Sequence, residues 1–153
     1  MILCKEYNLS AVFVQNGLSG SANSITKFDM AWHMLSPEEI PTAQQAAAFE
    51  AKALESVGLL DPQIPPRYST SYFNHVWGGG YAAGYYSYLW TEVLAVNIAD
   101  YFADHGALKP EIGQDFRQKI LSRGNTRELM EMFTDFTGMK TPDASALLKA
   151  RGL

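Results

Sequence analysis

One cysteine, Cys4, in 153 residues leaves no possibility of an internal disulfide or a cysteine-based zinc site. Charged residues are also scarce, at 18% against the usual ~25%. The net charge of −4 comes without a clustered basic patch, so nucleic acid is not an expected partner. No apolar run approaches the ~18 residues that a membrane span requires, and no membrane partner is expected. The short apolar run Ala11–Val14 follows Glu6 without a basic region before it, and it does not read as a signal peptide. With the lone cysteine, this makes a reducing, cytoplasmic location the expectation. Catalytic signatures are missing as well. There is no HExxH, no Walker lysine and no serine or cysteine in a nucleophile-elbow pattern. The three histidines, His33, His75 and His105, share no helix turn, so no metal ligand is assigned in this chain.

Strand signals are few and helix signals recur. SITKFDMAWHML, residues 24–35, sets Ile25, Phe28 or Asp29, Trp32 and Leu35 at helical spacing. Ser36-Pro37-Glu38-Glu39 reads as an N-cap, a proline at the first position and acids in the first turn. Thr42 to Val57 is alanine-rich, with Phe49, Ala53, Leu54 and Val57 in a stripe and Gly58 as a stop. DPQIPP, residues 61–66, is loop or extended linker. A long helix is predicted from about Gly80 to Ala103, ending at His105-Gly106. Lys109-Pro110-Glu111 restarts a helix that Gly124 ends, and Asn125-Thr126-Arg127-Glu128 resembles a capping box. Thr141-Pro142-Asp143 opens a short last helix. An all-α bundle of roughly six or seven helices is the simplest account, and a chain of this size buries roughly 68–70% of its unfolded surface. Residues 1 to 23 show neither clear periodicity nor caps.

The densest chemistry lies in HVWGGGYAAGYYSYLW, residues 75–90. Projected as a helix from Gly80 at about 100° per residue, Tyr81, Tyr85, Tyr88 and Glu92 fall on one narrow face. Tyr86, Leu89, Trp90, Val93 and Val96 occupy a neighbouring arc suited to a core. Three buried phenols in a row would each need a hydroxyl partner, whereas a cleft supplies water or ligand. Gly78, Gly79 and Gly80 allow backbone N–H groups to approach a ligand closely, and His75 lies just upstream. Phenol hydroxyls and an imidazolium can stabilise an oxyanion or hold a peptide backbone. The bland alternative is that the stripe only packs. Arg67, beyond Pro65-Pro66, could reach a ligand carboxylate. A dinucleotide turn at Gly78-x-Gly80-x-x-x-Gly84 is rejected for want of a preceding strand.

These residues resemble the thimet oligopeptidase and peptidyl-dipeptidase Dcp family of zinc peptidases. DMAWHML, PPRYSTSYFNHVWGGGY and FRQKILSRGNT look like family landmarks in order, over about residues 25 to 153. Residues 1 to 24 match poorly, and the triple glycine points to the Dcp branch. The resemblance implies an all-α, two-lobed shell around a channel, with residues 25–153 as its C-terminal substrate-binding part. It implies zinc held through HExxH and a later glutamate, and a metal-bound water as the attacking group. By the same resemblance His75, Tyr81 and Tyr88 correspond to residues that bind substrate and stabilise the oxyanion. Tyr85 corresponds to a channel-lining residue, Gly78–Gly80 to the flexible loop that closes over the peptide, and Arg67 to a channel candidate.

The metal motif is absent from the sequence, so the expectation is a C-terminal part of such a peptidase, inactive alone. Its expected partners are short peptides, and either the metal-binding segment or further copies of itself through exposed apolar surface. Two other readings stand beside this one: a stand-alone helical peptide-binding module without catalysis, and an interaction domain whose tyrosines only pack.

Overall fold

The computed structural model describes residues 17–152, with side chains from Ser24 onward. Cys4, the run Ala11–Val14 and most of the segment 1–24 lie outside the described residues. Seven α-helices and no strand occur among the described residues, which makes the protein all-α, as the periodicity predicts. No helix among them is long and apolar enough to cross a membrane. The chain divides into two compact units, the first ending at Tyr88 and the second starting at Leu89.

The first unit holds α1 (Gly17–His33), α2 (Ala46–Glu55) and the four-residue α3 (Asn74–Trp77). Ile25 and Phe28 of α1 are buried against Phe73 and Val76, with Trp32, Tyr68 and Tyr85 packed around them. Ser36-Pro37 starts only a single 3-10 turn, Pro37–Glu39, where Glu39 accepts a hydrogen bond from the Ser36 N–H at 3.0 Å. Gln45 closes the next turn by accepting from the Thr42 N–H at 2.9 Å. Gly58 ends α2's last turns with φ +70°, a value that disfavours any L side chain. The loop that follows is fastened through Thr70. Its N–H and its hydroxyl both donate to the Glu50 carboxylate at 2.8 Å, and the Trp32 indole N–H donates to Thr70 Oγ1 at 2.9 Å.

The predicted long helix is shorter than its periodicity suggests. α4 spans Ser87–His105, while residues 81–86 form successive turns. Ala83 is the reason, with φ +53°, which no right-handed helix accommodates. Tyr81 and Tyr85 therefore lie ahead of α4, not on it.

In the second unit α4 buries Val93 and Asn97. Lys109 precedes α5 (Pro110–Phe116), which has proline at its start and runs into a π-turn over Arg117–Leu121, closed by Ser122 N–H donating to the Arg117 carbonyl at 2.8 Å. α6 (Leu129–Thr137) buries Met132, Phe133 and Phe136 and stops at Gly138, φ +76°. Glu128 precedes it without a side-chain cap, so the capping box expected from Asn125–Glu128 does not form. α7 (Ala144–Ala150) is capped by Asp143, whose carboxylate accepts from the Ser145 N–H at 2.9 Å. Buried Asn97 is fully used. Its amide donates to the carbonyls of Val93 and Asp143, and its oxygen accepts from the Asp143 N–H, each at 2.8 Å.

Phe136 anchors this second core, with ring centroids 4.7 Å from Tyr101, 5.1 Å from Phe116 and 5.6 Å from Phe102. Phe136→Ala removes that hub and should cost about 3–5 kcal/mol. A fall in the urea midpoint of the second unit's transition checks it, and a midpoint unchanged from wild type would refute the assignment.

Candidate functional site

The Gly78–Gly80 loop follows α3, whose last turn is closed by the Gly78 N–H donating to the Asn74 carbonyl at 2.7 Å. A Cβ on Gly79 would stand 2.6 Å from the His75 carbonyl oxygen, so the backbone there lies directly over the last turn. Gly80 then turns the chain with φ +80°. After two more residues the strained Ala83 sends the chain toward α4. That left-handed alanine costs about 1–2 kcal/mol by itself, and it is held in place by Asp29. The Asp29 side chain is 0% exposed. Its Oδ1 accepts from the Ala83 N–H and its Oδ2 from the Tyr85 N–H, each at 3.1 Å. His33 Nδ1 lies 2.9 Å from Asp29 Oδ1 and 2.8 Å from the Asp29 carbonyl oxygen. Two acceptors facing one ring nitrogen require Nδ1 to carry the hydrogen. His33 thus bonds both the backbone and the carboxylate of Asp29.

On this frame the sequence-predicted residues converge. The His75 ring stacks on Tyr81 at 5.0 Å, and its Nε2 lies 3.3 Å from the Tyr88 hydroxyl. Tyr81 and Tyr88 stack at 5.8 Å, and Tyr85 and Tyr88 meet at 4.9 Å. Tyr85 also meets Phe73 edge-on at 5.1 Å, which joins the cluster to the core. His75, Tyr81 and Tyr88 are exposed and Tyr85 is half-buried. Helical projection grouped the same three tyrosines, although turns and not a helix bring them together.

Arg67 sits one ring away. Its guanidinium lies over the Tyr68 ring at 5.4 Å, Tyr68 stacks on Phe73 at 5.0 Å, and the Arg67 charge reaches Tyr85. Trp77, just before the glycines, was not singled out by its sequence position. Its indole N–H donates to the Thr70 carbonyl at 2.8 Å, and its ring stacks on His33 at 5.5 Å and meets Trp32 edge-on at 5.9 Å. Asp29 was visible only as a charge at a helical position shared with Phe28.

Among the described residues no group of three His, Cys, Asp or Glu side chains is placed to hold a metal ion. The described residues therefore do not fit a zinc site.

Two phenols are held in the protonated form. The hydrogen bond to Tyr81 raises Tyr88 above the ordinary phenol value, with desolvation and neighbouring phenols adding to it. Burial raises Tyr85, Tyr68 adds to it, and Arg67 opposes. Folded phenols that bind protons more tightly than unfolded ones stabilise the fold below the ordinary phenol pKa of about 10, and that contribution fades as pH rises further. Tyr81→Phe should bring the Tyr88 ionisation back down toward the ordinary value. NMR titration of the Tyr88 ring carbon bearing the hydroxyl reads this directly, and an unmoved midpoint would contradict the phenol–phenol bond.

Comparison with known proteins agrees with the landmarks. The model of peptidase family M3 matches residues 11–153. Dipeptidyl carboxypeptidase of Salmonella typhimurium is 47% identical over 125 residues, covering 82% of this chain and 18% of that protein. The dipeptidyl carboxypeptidase of Escherichia coli is 45% identical over 130 residues, covering 85% and 19%. Oligopeptidase A of Haemophilus influenzae is 46% identical over 81 residues, covering 53% and 12%. The chain thus spans less than a fifth of the length of the dipeptidyl carboxypeptidases it matches. With landmarks, helical fold and relatives in agreement, the chain belongs to peptidase family M3.

Proposed function

We propose that residues 25–153 are the peptide-binding and oxyanion-stabilising part of a zinc oligopeptidase of the dipeptidyl carboxypeptidase kind, and that these 153 residues do not cleave peptides alone. The observation that carries this reading is the gathering of His75, Tyr81, Tyr85 and Tyr88 into one cluster beside a loop stripped of side chains.

Phenols whose pKa is raised remain donors at neutral pH, which is the state an oxyanion or a peptide carbonyl requires. One hydroxyl of the Tyr81–Tyr88 pair donates to the other, and an entering carbonyl oxygen would take a hydroxyl from that pair. His75 beside Tyr88 supplies a second donor in its protonated form. Gly79 and Gly80 offer backbone N–H groups without side-chain obstruction, suited to an extended peptide, while the Gly78 N–H is already given to the Asn74 carbonyl at 2.7 Å, and Arg67 would face the substrate's C-terminal carboxylate. In the family's chemistry zinc supplies the activated water. With no HExxH in this sequence, the groups here bind and stabilise, and the attacking group must come from a segment they pair with.

The missing metal motif equally favours a second reading, a peptide-binding module without catalysis. Titration with N-acetyl-tetraalanine is expected to shift the ring signals of Tyr81, Tyr85 and Tyr88, and Tyr88→Phe should weaken binding by about 1 kcal/mol. Silent ring signals would sink both readings in favour of a packing role. Added zinc is expected to release no dipeptide from the same compound. Zinc-dependent release would overturn the claim that the chain is inactive alone.

A further inference from the structure

We infer that Asp29 is the positioning residue of the phenol cluster: its buried carboxylate sets where Tyr81, Tyr85 and Tyr88 stand relative to His75. A carboxylate with no exposed surface, flanked in α1 by the core residues Ile25 and Phe28, must be answered by donors. Its donors are Ala83 N–H, Tyr85 N–H and His33, and the first two lie in the turn that carries the phenols.

The same helix holds the other end of the loop. Trp77 rests on Trp32 and His33, one turn beyond Asp29, and is bonded to the Thr70 carbonyl. The backbone is therefore tied to α1 on both sides of the glycines, at residue 77 by rings and at residues 83 and 85 by a carboxylate. His75 has its own support, because its neighbour Val76 is buried in the core with Ile25 and Phe28. Only the phenol side of the cluster depends on the Asp29 bonds. Asp29 touches no phenol hydroxyl in this arrangement and acts through the backbone of Ala83 and Tyr85.

The test compares Asp29→Asn with Glu50→Gln in the full chain. Asn keeps the size but offers one acceptor where two N–H groups and His33 Nδ1 now converge. Glu50 also joins a helix to a loop, at Thr70, so its replacement controls for general loosening. With Asp29→Asn, the amide proton signals of Ala83 and Tyr85 should move upfield and the Tyr81 and Tyr88 ring signals should shift, with helical content kept. Glu50→Gln should leave those signals in place. Ring and amide signals unchanged in Asp29→Asn, or moved equally by Glu50→Gln, would overturn the assignment.

If Asp29→Asn does not fold, hydrogen exchange in the wild type decides. The Ala83 and Tyr85 amides should be protected at least tenfold over those of Ala82 and Tyr86, and unprotected exchange would overturn it. An affinity arm rests on the peptide-binding reading. N-acetyl-tetraalanine should bind Asp29→Asn about tenfold more weakly, and wild-type affinity in the variant would count against positioning. Failure of the wild type itself to bind would remove the peptide reading while the spectroscopic arm still judges Asp29.

Discussion

A carboxylate sealed inside an apolar core has to be answered by hydrogen-bond donors, and in the first unit two of those donors belong to a stretch of chain with no regular structure of its own. Asp29 and the turn over residues 81–86 stabilise each other. The charge would be intolerable without the N–H groups, and the left-handed Ala83 would be uneconomical without the charge. From that exchange follow the late start of α4 and the placing of three phenols beside His75.

The second unit uses the same device with a neutral group. Asn97, buried on α4, reaches the backbone of Asp143 in both directions and so fixes the segment that starts α7. Asp143 is then free to cap that helix with its side chain. In both units a polar residue on the inner face of a long helix fastens a distant irregular segment through its backbone. Aromatic packing, around Phe73 in one and Phe136 in the other, supplies the apolar surroundings that make those bonds costly to break.

Features legible in the sequence were those set by near neighbours. Proline at the head of α5, glycine just after α2 and Asp143 at the start of α7 all act within a few residues. The convergence of Tyr81, Tyr85 and Tyr88 was also legible, though for an incomplete reason. AAGYYSY satisfies a helical period, and nothing local says that residue 83 turns left-handed. That decision is made by a side chain on α1. Trp77 and Asp29 escaped notice for the same cause, since their partners lie far away in the sequence. The likeness to family landmarks pointed to residues that stand together in the structure, without giving the physical reason for their arrangement.

The two bonds from Asp29 close chain separations of 54 and 56 residues, while His75 and Tyr88 are only 13 apart. Closing the longer loops costs more entropy and rewards the chain only once α1 has packed on the segment around Phe73. The strained turn cannot form early without its carboxylate. The Asp29 bonds thus depend on contacts made far from them in sequence, and the turn they hold inherits that dependence.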